Sequence, residues 1–226
     1  NSTLGSFDFI ICSKLLEHTQ NVKNFFLFCR QILTPNGYLL IDVPDCEKSL
    51  KQGNIAMPWE EHISYFTTKT LNNTTNNHKF KKIFYKNYFY KQENALVGLY
   101  QKKFKALRNV KKKEVSLLIK YRKKANKFNT DAQLFFKKKS NFKFYIFGAG
   151  HNAIFFFNFL KLSNKNFEII DDNQNKNNCI FAGSSKRIKN SESLMKSKDN
   201  KIILLTVNIE IEAKIIKKLK SKLKKK

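Results

Sequence analysis

Long apolar runs, closely spaced cysteines and acidic residues are all scarce in this chain of 226 residues. No run of about 18 apolar residues occurs, and no basic segment followed by an apolar one opens the sequence. We therefore expect neither a transmembrane span nor a signal peptide and, by default, a cytoplasmic location. The cysteines are far apart and form no CxxC pair or zinc-type spacing, which predicts buried, reduced thiols; they are Cys12, Cys29, Cys46 and Cys179.

The shortage of acidic residues leaves a large positive charge, since 44 Lys and Arg face 17 Asp and Glu. Lys is spread along the whole chain together with much Asn, Phe and Ile, which indicates a general compositional bias rather than a patch. Nucleic-acid binding is therefore not expected, although a polyanionic or phosphorylated substrate would suit the charge. An apolar content of 42% with 22 Phe supplies packed cores for one large or two small domains.

The first part of the chain has a strand, helix, turn, strand pattern. "FDFIICS" at residues 7–13 predicts a buried strand, apolar spacing over 22–33 predicts a helix, and a turn at 35–37 precedes a strand over 38–43. Such a βαβ unit implies a parallel sheet that binds ligands at the carboxyl ends of its strands. The polar residues at those ends are Ser13, Glu17, His18 and Asp45.

The stretch "PWEEHISYF" at residues 58–66 places Trp, Glu, His and Tyr side chains before a helix capped by Thr67 or Thr68. Two strands, over 82–90 and 95–103, then predict a hairpin. A Lys-rich segment over 102–141 is interpreted as a helical connector with a solvated basic face. The predicted domains are therefore residues 1–101 and 142–226, joined by this connector.

A second βαβ pattern begins at "FKFYIFGAGHNA". A strand, then Gly148-x-Gly150-x-x-Ala153, then a helix, with Asp171 at the end of the next strand, is the arrangement of a dinucleotide-type loop. Asp171 lies where an acidic side chain is expected to meet a ribose hydroxyl. Gly148 permits the tight turn, Gly150 lets a ligand approach the backbone, and the helix start offers N–H groups to an anion. The alternative is a Rossmann-like domain whose loop binds nothing.

Three segments, "FDFIICSKLLEH", "ILTPNGYLLIDVPD" and "EEHISYFTTKTL", resemble the later half of a class I S-adenosylmethionine-dependent methyltransferase. "YIFGAGHNA", "IIDDNQNK" and "LLTVNIEIEAKI" resemble the C-terminal domain of sugar C-methyltransferases, which methylate a carbon of a nucleotide-linked keto-sugar. The resemblance implies an α/β fold with a partial Rossmann-like methyltransferase sheet and a second Rossmann-like domain. It also implies S-adenosylmethionine as cofactor. The family's zinc-binding Cys-rich segment and first strands have no match, so part of the cofactor site is expected to be missing.

The chemistry of carbon methylation requires removal of a proton next to a ketone, and His, with a pKa near 6.5, suits that task. The resemblance matches its catalytic Glu-His pair to Glu61 and His62, with Tyr65 as a phenol donor to the enolate. Trp59 stands where the family has Tyr. The alternatives are an ordinary loop histidine at His62 and a buried Tyr65.

Cofactor contacts are expected from Ser13, Glu17 and His18, with helix capping as the alternative for Glu17. Substrate contacts are expected from Trp59 and from a set in the second domain, which is Gly148, Gly150, His151, Asn152, Asp171, Lys176 and Asn208. No metal site is expected, because His and Cys are dispersed along the sequence. The alternative function is a nucleotide- or NAD-binding module with an inactive methyltransferase remnant. The oligomeric state stays open.

Overall fold

Strands that alternate with helices organise both halves of the chain. The computed structural model describes residues 6–59, 61–91, 93–103, 115–196 and 199–223. It divides the chain into two units, Asn1–Tyr121 and Arg122–Lys226. Within the described ranges each unit has one four-stranded sheet, mixed in the first and parallel in the second. The predicted α/β class is confirmed.

The first unit is built around the sheet order β1-β2-β4-β3, in which β1 and β2 are parallel and the other pairs are antiparallel. A single 3-10 turn, Leu16–His18, follows β1. The other elements are β1 (Phe7–Ser13), α1 (Val22–Ile32), β2 (Leu33–Asp45), α2 (Glu47–Gln52), α3 (Thr68–Asn77), β3 (Phe80–Tyr88) and β4 (Asn94–Lys102).

Caps and apolar periodicity account for the helices of this unit. The Asn21 side chain accepts from the Asn24 N–H at the start of α1. Thr67 and Thr70 form a capping box at the start of α3, so the predicted Thr cap is confirmed. Phe26 of α1 packs with Leu39 and other buried side chains of the sheet in one apolar core.

The strand predicted over residues 7–13 is present, but the prediction that it is buried is wrong. Cys12 is the one buried residue of β1, whereas Phe7, Phe9 and Ile11 are 44%, 46% and 68% exposed. The reason is that β1 is the last strand of its sheet in the described part of the chain and pairs there with β2 alone. An apolar run therefore identified a strand without identifying its place in the sheet.

The turn predicted at 35–37 is absorbed into β2. Phe7 pairs with Leu33 and Phe9 with Tyr38, so the register jumps and the intervening residues of β2 bulge. Asn36 has a φ of 63°, in the left-handed region that Asn tolerates. The sequence also gave no signal for α2, which is only six residues long.

The second unit is an all-parallel sheet in the order β7-β6-β5-β8. Its main core contains the rings of Phe136, Phe144, Phe157 and Phe167. The predicted second βαβ pattern is confirmed, whereas β7 and α6 were too short to be predicted. The division between the two units falls within α4 (Val115–Lys138). The helices and strands that follow α4 are β5 (Lys143–Phe147), α5 (His151–Phe159), β6 (Phe167–Ile170), β7 (Ile188–Lys189), α6 (Glu192–Lys196), β8 (Lys201–Leu205) and α7 (Ile209–Leu223).

The long basic connector is described only in part, since residues 104–114 lie outside the described ranges. Its described portion is mostly α4. Of the helices in the described ranges, none combines the length and the apolar character that crossing a bilayer requires.

Candidate active site

The carboxyl ends of β1 and β2 lie side by side and are fastened to each other by polar contacts. Ser13 pairs with Asp42 in the parallel register, and its hydroxyl donates to Asp42 Oδ2 at 2.9 Å. The Lys14 N–H donates to the Asp42 carbonyl at 2.8 Å, and its ammonium pairs with Asp42 Oδ1 at 2.9 Å. These contacts hold the end of β1 against β2, just before the 3-10 turn Leu16–His18.

Glu17 lies in that turn and is almost completely buried, at 2% exposure. Its carbonyl oxygen accepts from the N–H groups of Ile63 and Ser64, at 2.8 and 3.0 Å. The loop that contains His62 is thereby attached to the end of β1. Glu17 Oε2 is buried and has no hydrogen-bond partner among the described residues. Since a buried carboxylate oxygen without a partner is costly, a ligand that donates to it would be stabilised.

His18 and His62 meet above this turn. The His18 Nδ1 atom is 2.8 Å from the carbonyl oxygen of Glu61. Because a carbonyl only accepts, the bond assigns the proton to Nδ1, and Nε2 of the neutral ring keeps its lone pair. The two imidazole rings lie edge to face with centroids 4.8 Å apart.

Burial lowers the pKa of His62 below its ordinary value of 6.5, and the neighbouring His18 lowers it further. Glu17 and Glu61 act in the opposite direction without reversing the shift. His62 is therefore favoured in its neutral form near pH 7, with a ring nitrogen able to accept a proton.

Trp59 and Tyr65 shape the loop around His62. The Tyr65 hydroxyl accepts from the Trp59 N–H at 2.8 Å and donates to the Trp59 carbonyl at 3.1 Å. The same carbonyl accepts from the His62 N–H at 3.0 Å. The Trp59 and Tyr65 rings lie 6.3 and 6.1 Å from the His62 ring. In this arrangement the phenol closes the loop, and a phenol that donated to a substrate would have to release Trp59.

A cleft of about 680 Å³ opens beside these residues. Of the predicted site residues in this unit, Glu17, His18, Trp59 and His62 line it, whereas Ser13, Glu61 and Tyr65 do not. The volume suits a small molecule. The remaining lining residues are Lys14, Asp42, Pro44, Tyr88, Tyr90, Glu93, Asn94, Ala95 and Val97.

The hairpin β3–β4 contributes residues that sequence reasoning missed, among them Tyr88, Tyr90 and Glu93. Burial raises the pKa of Glu93, although Lys14 lowers it. The sequence predicted the hairpin but carried no signal that its turn would approach the ends of β1 and β2. That approach follows from the pairing of β4 with β2, which brings Asn94 opposite Asp45.

The second unit collects its predicted residues at the carboxyl ends of β5, β6 and β8. Gly148 has a φ of +101°, and a Cβ there would lie 2.8 Å from Val207 Cγ1, so glycine is required. A Cβ at Gly150 would meet no heavy atom within 4 Å. Gly150 caps α5, whose first two residues are His151 and Asn152.

Asp171 is hydrogen-bonded to the backbone of the glycine loop. Its Oδ2 accepts from the Ala149 N–H at 2.8 Å and from the Lys176 ammonium at 3.3 Å. Lys176 also donates to the Ala149 carbonyl at 3.1 Å. Asn208 likewise has a local contact, since its Oδ1 accepts from the Glu210 N–H at the start of α7. A ribose contact from Asp171 would therefore require it to share oxygens that are already bonded.

One protein-family model overlaps the candidate site. The family described as "Methyltransferase domain" matches residues 2–83, which include Glu17, His18 and His62. No curated protein matches the chain.

Three solved structures show a weak likeness. A "possible histamine N-methyltransferase" of Thermotoga maritima is 17% identical, with a TM-score of 0.37 over 46% of this chain and 60% of its own. The N-methyltransferase NodS of Bradyrhizobium japonicum, in complex with S-adenosyl-L-homocysteine, is 14% identical. Its TM-score is 0.34, and the match covers 45% of this chain and 49% of NodS. TehB of Haemophilus influenzae is 14% identical, with a TM-score of 0.33 and a match that covers 44% of this chain and 36% of TehB. The chain thus spans less than two-thirds of the length of each.

Proposed function

We propose that the protein is an S-adenosylmethionine-dependent C-methyltransferase that acts on a nucleotide-linked keto-sugar. The observation that carries the proposal is the cluster of Glu17, His18 and His62 in a cleft at the carboxyl ends of two parallel strands. The cluster lies in the segment matched by the methyltransferase family. The sugar is suggested by the resemblance of the "EEHISYF" stretch and of the second unit to sugar C-methyltransferases.

His62 is the general base in this proposal. Its neutral ring takes a proton from the sugar carbon next to the ketone, and the electron pair of the broken C–H bond forms an enolate. S-adenosylmethionine, when bound, supplies an electrophilic methyl group that the enolate carbon takes while the electrons of the broken C–S bond stay on sulfur. His62 then returns its proton to solvent.

The cofactor is assigned to the end of β1, where Ser13, Glu17 and His18 lie. The fit rests on Glu17, whose buried Oε2 has no partner among the described residues and is suited to a hydroxyl or ammonium donor. Ser13 contributes less directly, since its hydroxyl is bonded to Asp42.

The neighbours of His62 position it. Glu61 contributes a carbonyl that holds the His18 ring, and its exposed carboxylate is available for a sugar hydroxyl. Trp59, 40% exposed, offers a stacking surface for the substrate. Tyr65 fixes Trp59 through its two hydrogen bonds and so acts through that residue.

The second unit is assigned to the nucleotide. Open space at Gly150 would admit a diphosphate to the start of α5, beside His151 and Asn152, and Lys176 supplies a positive charge near the loop. Asp171 and Asn208 hold the surrounding backbone in place. The same open space supports the alternative function, a nucleotide- or NAD-binding module in which the first unit performs no chemistry.

Solvent exchange at the sugar tests the base without requiring methyl transfer. A nucleotide-linked keto-sugar is incubated with the protein and S-adenosylhomocysteine in deuterated water, and the signal of the proton next to the ketone is followed by NMR. We expect exchange with the wild-type protein and its loss, by about 10²-fold or more, in His62→Gln. His78→Gln, a change outside the cleft, is the matched control.

The exchange experiment tests His62 as the base, and calorimetry added to it separates the two functions. Exchange that is lost in His62→Gln but retained in the control supports the transferase. Exchange that is equal in both variants removes His62 as the base. Calorimetric binding of a nucleoside diphosphate or NAD, together with no exchange and no S-adenosylmethionine binding, favours the binding module.

A further inference from the structure

We propose that Glu17, His18 and His62 form a site for a transition-metal ion of the Zn²⁺ type, and that the bound ion inhibits methyl transfer. The inhibitory part rests on the proposed function, whereas the metal site itself does not. The proposal departs from the sequence-based expectation of no metal site, because residues distant along the chain are brought together by the fold. One ligand atom from each of the three lies within 4.8 Å of the others.

The ligand atoms lie near the separations of a metal centre but have to move to reach them. Zinc binds nitrogen and oxygen ligands at about 2.0–2.2 Å in tetrahedral geometry, so two ligand atoms on one ion lie about 3.3–3.6 Å apart. Ligand atoms at the 4.8 Å limit of the cluster therefore have to close by about 1.2–1.5 Å. Rotation of the His62 ring, which is only partly buried in the loop, supplies a movement of that size.

His18 is already oriented as a ligand. Metal-bound histidines usually donate their second ring N–H to a carbonyl or carboxylate, which fixes the tautomer and turns the lone pair toward the ion. His18 makes such a bond from Nδ1 to the Glu61 carbonyl at 2.8 Å. Its Nε2 atom is therefore the metal-binding nitrogen.

Glu17 supplies the observation that points independently to a ligand. The residue is 2% exposed, and its Oε2 has no hydrogen-bond partner among the described residues. A carboxylate oxygen held in that state is strongly stabilised by a cation. Glu17 and both histidines line the cleft, so the ion would have an entry path and an open coordination position.

The ligand set selects the class of ion. Two imidazoles and one carboxylate suit Zn²⁺, Co²⁺ or Ni²⁺, whereas Mg²⁺ and Ca²⁺ prefer oxygen ligands alone. An ion at this site would use the ring nitrogen with which His62 accepts a proton. Binding of the metal and action of His62 as a base are therefore mutually exclusive, which is the reason to expect inhibition.

Calorimetry with Zn²⁺ on the full chain tests the site. A Cys179→Ser background removes the exposed thiol, which is the competing ligand of most concern. We expect one ion per chain, with affinity reduced at least about tenfold in Glu17→Gln, in His18→Gln and in His62→Gln. Glu47→Gln and His78→Gln remove the same side-chain types outside the cleft and should leave the affinity within about twofold. Circular dichroism checks that each variant folds.

Co²⁺ provides a readout that needs no variant at these positions. In the wild-type chain, visible d–d bands without a thiolate charge-transfer band support nitrogen and oxygen ligands. A thiolate band that persists in the Cys179→Ser background assigns the metal to buried cysteines and overturns the proposal. Absence of Zn²⁺ binding at about millimolar concentration, or binding unchanged in Glu17→Gln and His62→Gln, also overturns it.

Inhibition is measured separately with the deuterium-exchange assay. Exchange that falls as Zn²⁺ saturates the calorimetric site supports the second half of the proposal. Exchange unaffected by Zn²⁺ at saturation contradicts it and leaves the base role of His62 standing. If Zn²⁺ binds as expected but no exchange occurs without metal, the proposed function fails and the metal site remains.

Discussion

His62 is held beside His18 by the backbone of Glu17 and of Glu61. The two rings lie edge to face with centroids 4.8 Å apart, since the Glu17 carbonyl binds the residues that follow His62 and the Glu61 carbonyl binds His18. The candidate base is thus positioned mainly by main-chain hydrogen bonds.

Removal of the Tyr65 hydroxyl should loosen the loop around His62. Tyr65→Phe deletes two hydrogen bonds to Trp59, and we expect a loss of about 1 kcal/mol in the free energy of unfolding, moderated by the 36% exposure of Tyr65. Chemical denaturation measures the loss. Tyr38→Phe, equally exposed and bonded by a single 3.3 Å contact from Gln101, is the control and should cost less. Equal effects would mean that the Tyr65 bonds do not stabilise the loop.

The two loop glycines of the second unit should respond differently to alanine. Gly148→Ala places a Cβ 2.8 Å from Val207 at a φ of +101°, and we expect it to destabilise the protein by about 1–3 kcal/mol. Gly150→Ala enters open space and should change stability little. If a diphosphate binds there, Gly150→Ala should nevertheless weaken nucleotide binding in calorimetry. Unchanged binding in a folded Gly150→Ala variant would argue against the assigned phosphate position.

The thiols should differ sharply in reactivity. Burial raises the pKa of Cys12 to about 12 and that of Cys29 to about 11, and Cys46 is 2% exposed. Cys179 is exposed, so the prediction of buried thiols is wrong for this residue. A thiol reagent should therefore modify one cysteine rapidly in the native protein and all four after denaturation. Rapid modification of two or more in the native state would contradict the described burial.

Stability should depend on Glu168 at acid pH. Partial burial raises its pKa, but hydrogen bonds from Lys143 and Lys189 outweigh that effect and lower it below 4.5. A lowered pKa stabilises the fold above the unfolded-state value, and this contribution is lost as the pH falls through the folded-state value. Melting temperatures from pH 7 to pH 3 should thus decline less steeply in Glu168→Gln than in wild type. The exposed Glu192→Gln variant should follow wild type, and parallel curves for all three would refute the assignment.

Local patterns were sufficient to predict most elements but not their places in the sheets. Apolar runs and caps identified β1, α1 and α3, because these signals come from adjacent residues. The exposure of β1 could not be read in this way, since burial depends on which strands lie on either side. The short elements α2, α6 and β7 carry too few residues for a period to be recognised.

The candidate site was predicted as a set of residues rather than as an arrangement. Glu17, His18 and His62 were each identified from their positions next to strands or in the "EEHISYF" stretch. Their proximity depends on backbone bonds between distant segments, which have no sequence signature. The same limit applies to Asp171, since the hydrogen bond that its carboxylate accepts from the Ala149 N–H joins two distant segments.

The central claim is that the protein methylates carbon with His62 as the base. NMR of the product formed from ¹³C-methyl S-adenosylmethionine tests it most directly. With a nucleotide-linked keto-sugar as acceptor, we expect the labelled methyl group to couple to a sugar carbon next to the ketone. The product should be absent with His62→Gln and present with His78→Gln. A methyl group attached to nitrogen or oxygen, or carbon methylation that persists in His62→Gln, would contradict the account.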